Sequence, residues 1–368
     1  MASCAARHGG PDLVPELRYD PTSGEWTIVA AERATRQREF PGGPPPAPAL
    51  ECDPRCPFCP GNESQTPPAV LTLPGLSGWQ VRVVPNKYPL LGGQGPGSPD
   101  GTRGARAARR PTRLSPATWL APYAAAGVHE VAIVSPSHRR WLPDLAADEA
   151  TALVAALRAR YRALAAMRDV RLAAMRDVRH VMLFENHGPA AGASLAHPHV
   201  QIVGLPLVPP AVRRRRALAG RYAARTGGSL WRDLLAAELR AGERIVAADE
   251  RLVCWAPFAP HVPFELWLAP RQPRASFGDL SDELVRPFAL ALRAALAALA
   301  LALGPVDVNY VLHSAPVGAE ATDGLSWFVQ ILPRLTALAG FELGGGISVT
   351  TVPPEDAAAQ LRAALASP

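Results

Sequence analysis

The stretch from Glu185 to Gln201, ENHGPAAGASLAHPHVQ, decides how the rest of the chain is interpreted. It follows an apolar run, VMLF at 181–184, and leads into a second apolar run that starts with IVG at 202–204. A turn of small residues at 188–192, with a glycine at each end, lies between the two runs. This pattern predicts a strand, a loop of the size that holds a phosphate group, and a second strand.

Two histidines stand two residues apart at the start of the second predicted strand. Alternate residues of a strand point to the same side, so one face is expected to carry the polar side chains of His197, His199 and Gln201. The opposite face, which includes Val200 and Ile202, is expected to pack on the core. A single histidine on a strand is more often structural, but two histidines and a glutamine beside such a loop indicate a functional site.

The motif His-Pro-His-x-Gln, preceded by FEN-x-G-x-x-x-G-x-S, resembles the active-site signature of the galactose-1-phosphate uridylyltransferase family, a branch of the histidine-triad superfamily. The resemblance implies that His199 is the nucleophile that carries the nucleotidyl group. Triad hydrolases have a third histidine where this chain has Gln201, which favours a transferase. The resemblance also implies a catalytic role for Ser194 and contacts to substrate from Asn186 and Gly192.

A cluster of cysteines upstream is typical of a metal site. Cys52, Cys56 and Cys59 lie close together, and Cys-x-x-Cys before a glycine is a common zinc-binding geometry. The resemblance supplies the other ligands, His138 and His197, and implies one structural zinc ion per chain held by these histidines with Cys56 and Cys59. Cys52 is then a spare thiol, although it could replace Cys56.

Further substrate contacts follow from the same resemblance. The family has Arg-x-x-Arg after its first strand, which Arg33 and Arg36 match, although two such arginines could equally be surface charge. Asn86 matches a family asparagine near the nucleoside. Phe341 and Glu342 stand in the GFE segment near the C-terminus, where Glu342 aligns with a glutamate that contacts the sugar.

The 368-residue chain is long enough for two domains or one duplicated fold. The pattern of strand, hairpin, helix, strand and strand occurs twice, which predicts an α+β protein with two antiparallel-sheet halves and a duplicated histidine-triad-like fold. We expect a disordered tail at 1–15, a first half at 16–210 with the zinc and active site, a helical connection at 211–245 and a second half at 246–368. The segment LAAMRDVR is repeated in tandem at 164–171 and 172–179.

The second half has lost the chemistry of the first. Where the first half has His197, His199 and Gln201, the second has Phe328-Val-Gln330. Some family members bind a second metal there, and His313 matches one of its histidines. Because Phe328 and Gln330 replace two others, we expect no second metal ion.

Composition excludes several other classes. Hydrophobic residues make up 48% of the chain, yet no apolar run reaches the ~18–20 residues of a membrane span, and the N-terminus lacks the apolar core of a signal peptide. We therefore expect a cytoplasmic protein without membrane partners. The net charge is +6, and almost all of the positive charge comes from arginine. No basic run is interleaved with aromatic residues, so we expect no nucleic-acid partner. The run Arg213–Arg216 is interpreted as a solvated face, and Cys254 as a core residue.

The resemblance implies a nucleotidyltransferase that moves UMP from UDP-glucose to galactose 1-phosphate through a covalent nucleotidyl-histidine. Its partners are a nucleotide-sugar and a sugar 1-phosphate, and the resemblance implies a homodimer. A related phosphorylase, which uses inorganic phosphate as acceptor, is the alternative within this class. Thr336 appears where some uridylyltransferases have a lysine for the hexose phosphate, which favours that alternative. A non-catalytic nucleotide-binding protein is the alternative from another class.

Overall fold

The computed structural model describes residues 15–35, 51–76, 78–91, 125–167, 178–319 and 324–366. The N-terminal tail, Arg36 and most of the tandem repeat lie outside these ranges. Within them, thirteen strands and six α-helices are formed. The α-helices are α1 (Ala147–Ala165), α2 (Pro210–Thr226), α3 (Leu230–Ala241), α4 (Asp282–Leu303), α5 (Gly340–Gly345) and α6 (Pro354–Ala366).

Ten of the strands form one antiparallel sheet. The first half supplies β3 (Leu71–Pro74), β4 (Trp79–Pro85), β5 (Val128–Ile133), β6 (His180–His187) and β7 (His199–Leu205). The second half supplies β8 (Ile245–Ala248), β9 (Leu252–Trp255), β10 (Leu266–Pro270), β11 (Val308–His313) and β12 (Phe328–Pro333).

The strand order shows the predicted duplication. It runs β3-β4-β5-β7-β6 and then β11-β12-β10-β9-β8, so the second half repeats the first in reverse across the sheet. The halves meet where β6 pairs with β11, from Val308 opposite His187 to Leu312 opposite Leu183. The α+β class and the two antiparallel halves are therefore confirmed.

The core lies between the sheet and the helices α1 and α4, which also pack on each other. In α1 the apolar residues Leu153, Leu157 and Leu164 recur at helical spacing, and all three are buried. Of the described helices, only α4 is long and apolar enough to cross a membrane by length and composition. Eight of its residues are buried against the rest of the protein, as expected of a core helix. Cys254, in β9, is buried as predicted.

A second, three-stranded sheet is formed by β1 (Glu16–Asp20), β2 (Glu25–Val29) and β13 (Ser348–Thr350). Arg18 of β1 is buried and pairs with Glu355 of α6, with 2.8 Å between Nη1 and Oε1. Arg244 pairs with the same carboxylate at 2.7 Å and with Glu238 of α3 at 2.9 Å. The Phe258 ring lies 4.7 Å from the Arg18 guanidinium and 5.2 Å from that of Arg244. These contacts attach the small sheet to the second half.

The arginine run after β7 forms part of α2 and is not uniformly solvated. Arg213, Arg214 and Arg216 are exposed, as predicted. The prediction is wrong for Arg215, whose guanidinium lies 4.9 Å from the centre of the Phe328 ring and 5.8 Å from that of Trp267. An α-helix turns about 100° per residue, so four consecutive residues cannot all face solvent on a packed helix.

Candidate active site and metal centre

A cavity of about 270 Å³ lies on the face of the sheet opposite α1. Four residues predicted from the sequence line it: Asn86, Ser194, His199 and Gln201. They come from the turn after β4, the loop before β7, and β7 itself. Val200 and Ile202 point to the other face and are fully buried in the core. The alternation of β7 therefore separates polar cavity residues from apolar core residues.

The strand begins two residues later than the alternation suggested. We expected His197 to share a strand face with His199, but β7 starts at His199. Pro198 has no amide hydrogen, so regular pairing of the strand begins after it. Its carbonyl still accepts a hydrogen bond from the Val134 amide at 3.2 Å. His197 thus lies in the turn, where its ring faces the two cysteines.

The His199 ring is held by the backbone beside it. Its Nδ1 lies 2.9 Å from the carbonyl oxygen of His197, an acceptor only, so Nδ1 carries the hydrogen and Nε2 keeps its lone pair. His199 is 7% exposed, and this burial lowers the pKa of its imidazole. The Phe58 ring approaches edge-on with the ring centres 5.3 Å apart. A neutral imidazole with a free Nε2 is suited to nucleophilic attack.

Gln201 is hydrogen-bonded to a histidine on the neighbouring strand. Its Oε1 lies 3.0 Å from Nε2 of His129, in β5. The other ring nitrogen of His129, Nδ1, accepts a hydrogen bond from the amide of Leu90 at 3.0 Å. The backbone N–H of Asn86 donates a hydrogen bond to the backbone carbonyl of His129 at 2.8 Å. His129 therefore joins the turn after β4 to the strand that carries His199.

Four side chains form a cluster that could hold a metal ion. The ligand atoms of Cys56, Cys59, His138 and His197 all lie within 4.8 Å of one another. Cys59 Sγ lies 3.4 Å from His138 Nδ1, and both sulfurs lie 3.7 Å from His197 Nδ1. Cys52 is exposed and does not belong to this cluster.

The orientation of His197 suits a metal ligand. Its Nε2 lies 2.9 Å from the carbonyl oxygen of Ser135, so Nε2 carries the hydrogen and Nδ1 offers its lone pair to the cluster. Burial lowers the pKa of this imidazole to about 4, which keeps the ring neutral at physiological pH. Both features favour coordination through Nδ1, because a protonated imidazole cannot bind a metal.

The loop between β6 and β7 depends on two glycines. Gly188 has φ of 85°, and a Cβ there would lie 2.0 Å from Oδ1 of Asp307. Gly192 has φ of 83° and ends the short 3-10 turn Pro189–Ala191. Such φ values are costly for any residue with a side chain. The loop that delivers Ser194 to the cavity therefore requires glycine at both positions.

Several predicted substrate contacts do not line this cavity. Arg33 is exposed in the 3-10 turn Ala31–Thr35. Phe341 and Glu342 lie in α5, where Glu342 Oε2 accepts a hydrogen bond from the amide of Ala339 at 3.1 Å. Asn186, in β6, accepts one from Asn309 Nδ2 at 2.8 Å. Their roles in binding remain predictions.

The cavity-lining residues that sequence reasoning missed include Phe58, Lys87 and His129. Phe58 stands between the two cysteines of the metal cluster, and Lys87 follows Asn86. His129 is 72 residues from Gln201 in sequence. No sequence signal marked His129, because its position two residues before Val131 matters only through the pairing of Val131 with Gln201 across the two strands.

The second half has a counterpart of this arrangement without its histidines. Phe328 and Gln330 of β12 occupy the places that His199 and Gln201 occupy in β7. The Phe328 ring stacks on His313, with ring centres 4.5 Å apart. Gln330 Oε1 lies 2.8 Å from His313 Nε2. Within the described ranges, the cluster at Cys56 is the only one with a metal-like grouping of ligand atoms.

Glu185 of the signature lies on the core side of β6, opposite Val200. Its carboxyl group is wholly buried and has no hydrogen bond of normal geometry, although the Tyr310 hydroxyl and the Trp141 indole lie close by. Burial raises the pKa of this carboxyl to about 8. Glu185 is thus a buried group that is neutral around pH 7, on the opposite side of the sheet from His199.

Comparison with known protein families identifies the family of the chain. The model of the galactose-1-phosphate uridyl transferase N-terminal domain matches residues 11–209, more than half of the chain. The chain belongs to this family. A second family model, a domain of unknown function named DUF4921, matches residues 121–367.

Individual relatives extend the similarity over nearly the whole chain. An ADP-glucose phosphorylase of Arabidopsis thaliana is 29% identical over 355 residues, covering 95% of this chain and 92% of its own. A galactose-1-phosphate uridylyltransferase of Thermotoga maritima is 26% identical and covers 94% of this chain and 98% of its own. The crystal structure of the Arabidopsis phosphorylase with bound ADP-glucose superposes with a TM-score of 0.75, at 28% identity and 95% and 99% coverage.

Proposed function

We propose that the protein transfers a nucleotidyl group from a nucleotide-sugar to a phosphate-bearing acceptor by way of His199. The observation that carries the proposal is the hydrogen bond from His199 Nδ1 to the His197 carbonyl, because it leaves Nε2 as the nucleophilic atom in the cavity wall. Family membership supports the same class of reaction.

In the first step, the Nε2 lone pair attacks the α-phosphorus of the nucleotide-sugar. The bond from that phosphorus to the bridging oxygen breaks, and sugar 1-phosphate leaves with the bonding electrons. The resulting nucleotidyl-imidazole is positively charged and keeps its hydrogen on Nδ1. The His197 carbonyl stabilises that charge, so no proton has to move.

In the second step, an oxygen of the acceptor phosphate attacks the same phosphorus, and the phosphorus–nitrogen bond breaks. His199 is regenerated with its original tautomer. Charge on the non-bridging oxygens needs hydrogen-bond donors. We assign this role to Gln201, Ser194 and the amides near Gly192, with Arg33, Arg36 and Asn86 as contacts to the nucleotide.

We propose that Cys56, Cys59, His138 and His197 hold one structural zinc ion. Tetrahedral zinc, with bonds of about 2.3 Å to sulfur and 2.0–2.1 Å to nitrogen, sets these ligands roughly 3.5 Å apart. The sulfur–nitrogen distances of 3.4–3.7 Å fit this geometry. Four protein ligands leave no position for substrate, so the role of the ion would be to fix the turn before β7.

Two acceptors are candidates. The signature around His199 predicts galactose 1-phosphate, and the Thermotoga relative supports it. Inorganic phosphate is supported by the Arabidopsis ADP-glucose phosphorylase, which is similar in sequence and in fold over 95% of this chain. Thr336, in place of a hexose-phosphate lysine, also favours it. We take phosphate as the first candidate and galactose 1-phosphate as the second.

A matrix of half-reactions tests this proposal. Enzyme mixed with UDP-glucose or ADP-glucose, without acceptor, should release up to one equivalent of glucose 1-phosphate per site. Discharge of the labelled intermediate is then timed with phosphate and with galactose 1-phosphate. Discharge by phosphate alone supports a phosphorylase, and discharge by galactose 1-phosphate supports the uridylyltransferase. Tight binding without any release of sugar phosphate would support the non-catalytic alternative.

The assembly and location remain part of this proposal. We expect a cytoplasmic homodimer that acts on nucleotide-sugars and sugar phosphates. The domain boundaries at 15/16, 210/211 and 245/246 are proposed on the same basis. In the described residues, α2 (210–226) and α3 (230–241) overlap the segment proposed as a connection.

A further inference from the structure

The hydrogen bond between His129 and Gln201 has a defined direction. The backbone amide of Leu90 can only donate, so His129 Nδ1, 3.0 Å away, must be the acceptor. In a neutral imidazole the other nitrogen then carries the hydrogen, and burial lowers the pKa of His129, which favours the neutral ring. Nε2–H therefore donates to Gln201 Oε1 at 3.0 Å.

The contact of Asn86 with the ring does not alter this assignment. Asn86 Nδ2 lies 3.2 Å from Nε2 and 3.4 Å from Nδ1 of His129. An atom almost equidistant from both ring nitrogens is not in line with the lone pair of either. The Asn86 amide has its own fixed orientation, because Oδ1 accepts a hydrogen bond from the amide of Tyr88 at 2.8 Å.

We propose that His129 is a positioning residue that fixes the orientation of the Gln201 amide. With Oε1 engaged by His129, the NH₂ group of Gln201 is the part left to interact with the cavity. Among the described residues, none accepts a hydrogen bond from it. A reversed amide would present a carbonyl oxygen, which repels the anionic oxygens of a phosphoryl group. The inference rests on the proposed nucleotidyl transfer. It adds His129 as the residue on which the orientation of the Gln201 NH₂ donor depends.

The second half provides an internal comparison. In the first half, His129 stands two residues before Val131, which pairs with Gln201. In the second half, Glu265 stands two residues before Trp267, which pairs with Gln330. Glu265 is therefore the counterpart of His129. A carboxylate can only accept, and Glu265 Oε1 takes a hydrogen bond from Gln330 Nε2 at 2.7 Å. Gln330 Oε1 is turned to His313 instead. The residue at this place, donor or acceptor, thus decides which end of the glutamine amide it binds: Oε1 of Gln201 in the first half and Nε2 of Gln330 in the second.

Two substitutions of similar chemistry separate this role from simple support of the turn. In His129→Asn, the side-chain oxygen takes the place of Nδ1 and keeps the hydrogen bond from Leu90, but nothing reaches Gln201. In His129→Gln, the amide extends to the place of Nε2 and can still donate to Gln201. We expect the first-order rate of nucleotidyl-His199 formation to fall about tenfold in His129→Asn, and clearly less in His129→Gln. Equal losses in the two variants would overturn the proposal.

A double-mutant cycle gives the decisive measurement. Gln201→Ala should slow formation of the intermediate by about 100-fold, the typical effect of removing an oxyanion donor. Adding His129→Asn to Gln201→Ala should then cause little further loss, because no amide remains to be oriented. If the rate losses of the two single variants multiply in the double variant, His129 acts independently of Gln201. If the wild-type protein forms no nucleotidyl-His199 from labelled ADP-glucose or UDP-glucose, the proposed function itself fails, and this outcome is distinct from either result.

Discussion

The Nδ1 atom of His199 lies 2.9 Å from the carbonyl oxygen of His197. The same residue whose ring faces the two cysteines thus also orients, through its backbone, the ring of the proposed nucleophile. Any ion that fixes the side chain of His197 fixes the His199 ring indirectly. The metal cluster and the nucleophile are in this sense one structural unit.

We predict that replacing His199 with glycine abolishes the covalent intermediate while the protein stays folded. The cavity can accept the loss of the ring, since His199 lies at its wall and outside the main apolar core. Release of labelled glucose 1-phosphate should drop by at least ~10³-fold, the scale typical of a lost nucleophile. Thermal unfolding followed by circular dichroism provides the control for folding. Wild-type rates of release in this variant would rule out His199 as the nucleophile.

We predict one zinc ion per chain and a marked loss of stability without it. Structural zinc contributes about 10–16 kcal/mol of binding energy in small zinc peptides. Cys59→Ser should therefore lose the metal and lower the unfolding temperature of the first half. Cys52→Ser is the matched control, because Cys52 is exposed and outside the cluster, and it should keep one zinc. Elemental analysis of both proteins decides the matter, and zinc-free wild-type protein with full activity would contradict the prediction.

We predict that Glu185→Gln makes the protein more stable than wild type at pH 8 and removes part of its pH dependence. The pKa of Glu185 is about 8 in the folded protein, above its ordinary value of 4.5. Because the pKa is raised in the folded protein, the protonated carboxyl group of Glu185 contributes to the free energy of unfolding. This contribution is fully present below pH 4.5 and is lost as the pH rises through 8. The loss is at most about 1.4 kcal/mol per pH unit in this window.

Urea unfolding of both proteins between pH 5 and 8 measures this difference. The stability of wild type relative to Glu185→Gln should fall steadily across the range. Parallel curves would show that Glu185 is ionised in the folded protein. Activity is a separate readout, since the carboxyl group lies on the core side of the sheet.

We predict that Glu355 is essential for attaching the small sheet. Its carboxylate pairs with both Arg18 and Arg244, so Glu355→Gln leaves two largely buried guanidinium groups without their shared anion. The expected loss is about 2 kcal/mol in the free energy of unfolding, because Arg18 keeps Glu16 and Arg244 keeps Glu238 as ion-pair partners. Glu16→Gln is the control, because Glu16 also pairs with Arg18 but its side chain is 61% exposed, and it should cost under about 1 kcal/mol. Similar losses for both variants would contradict the prediction.

Local patterns in the sequence predicted much of the fold. The second occurrence of strand, hairpin, helix, strand and strand indicated the duplication, and helical spacing identified the buried face of α1. What spacing could not predict was how the halves join. Pairing of β6 with β11 brings together residues more than 100 positions apart, and no local pattern specifies such a pairing.

The sequence predicted those residues of the candidate site that lie in a recognisable motif. His199, Gln201 and the four residues of the metal cluster carry recognisable spacing or a family signature. His129 and Phe58 could not be recognised, because their importance arises from contacts made across strands or through a turn. Arg215 was misjudged for a related reason, since its burial depends on Phe328 and Trp267 of the second half.

The pairing of β6 with β11 has a consequence for the half that lost its histidines. β6 neighbours the strand that carries His199, and β11 supplies the hydrogen bonds of its other edge. A truncated chain ending before the second half would expose that edge to other molecules, and self-association would compete with folding. The second half therefore covers the edge of β6 in the half that carries His199.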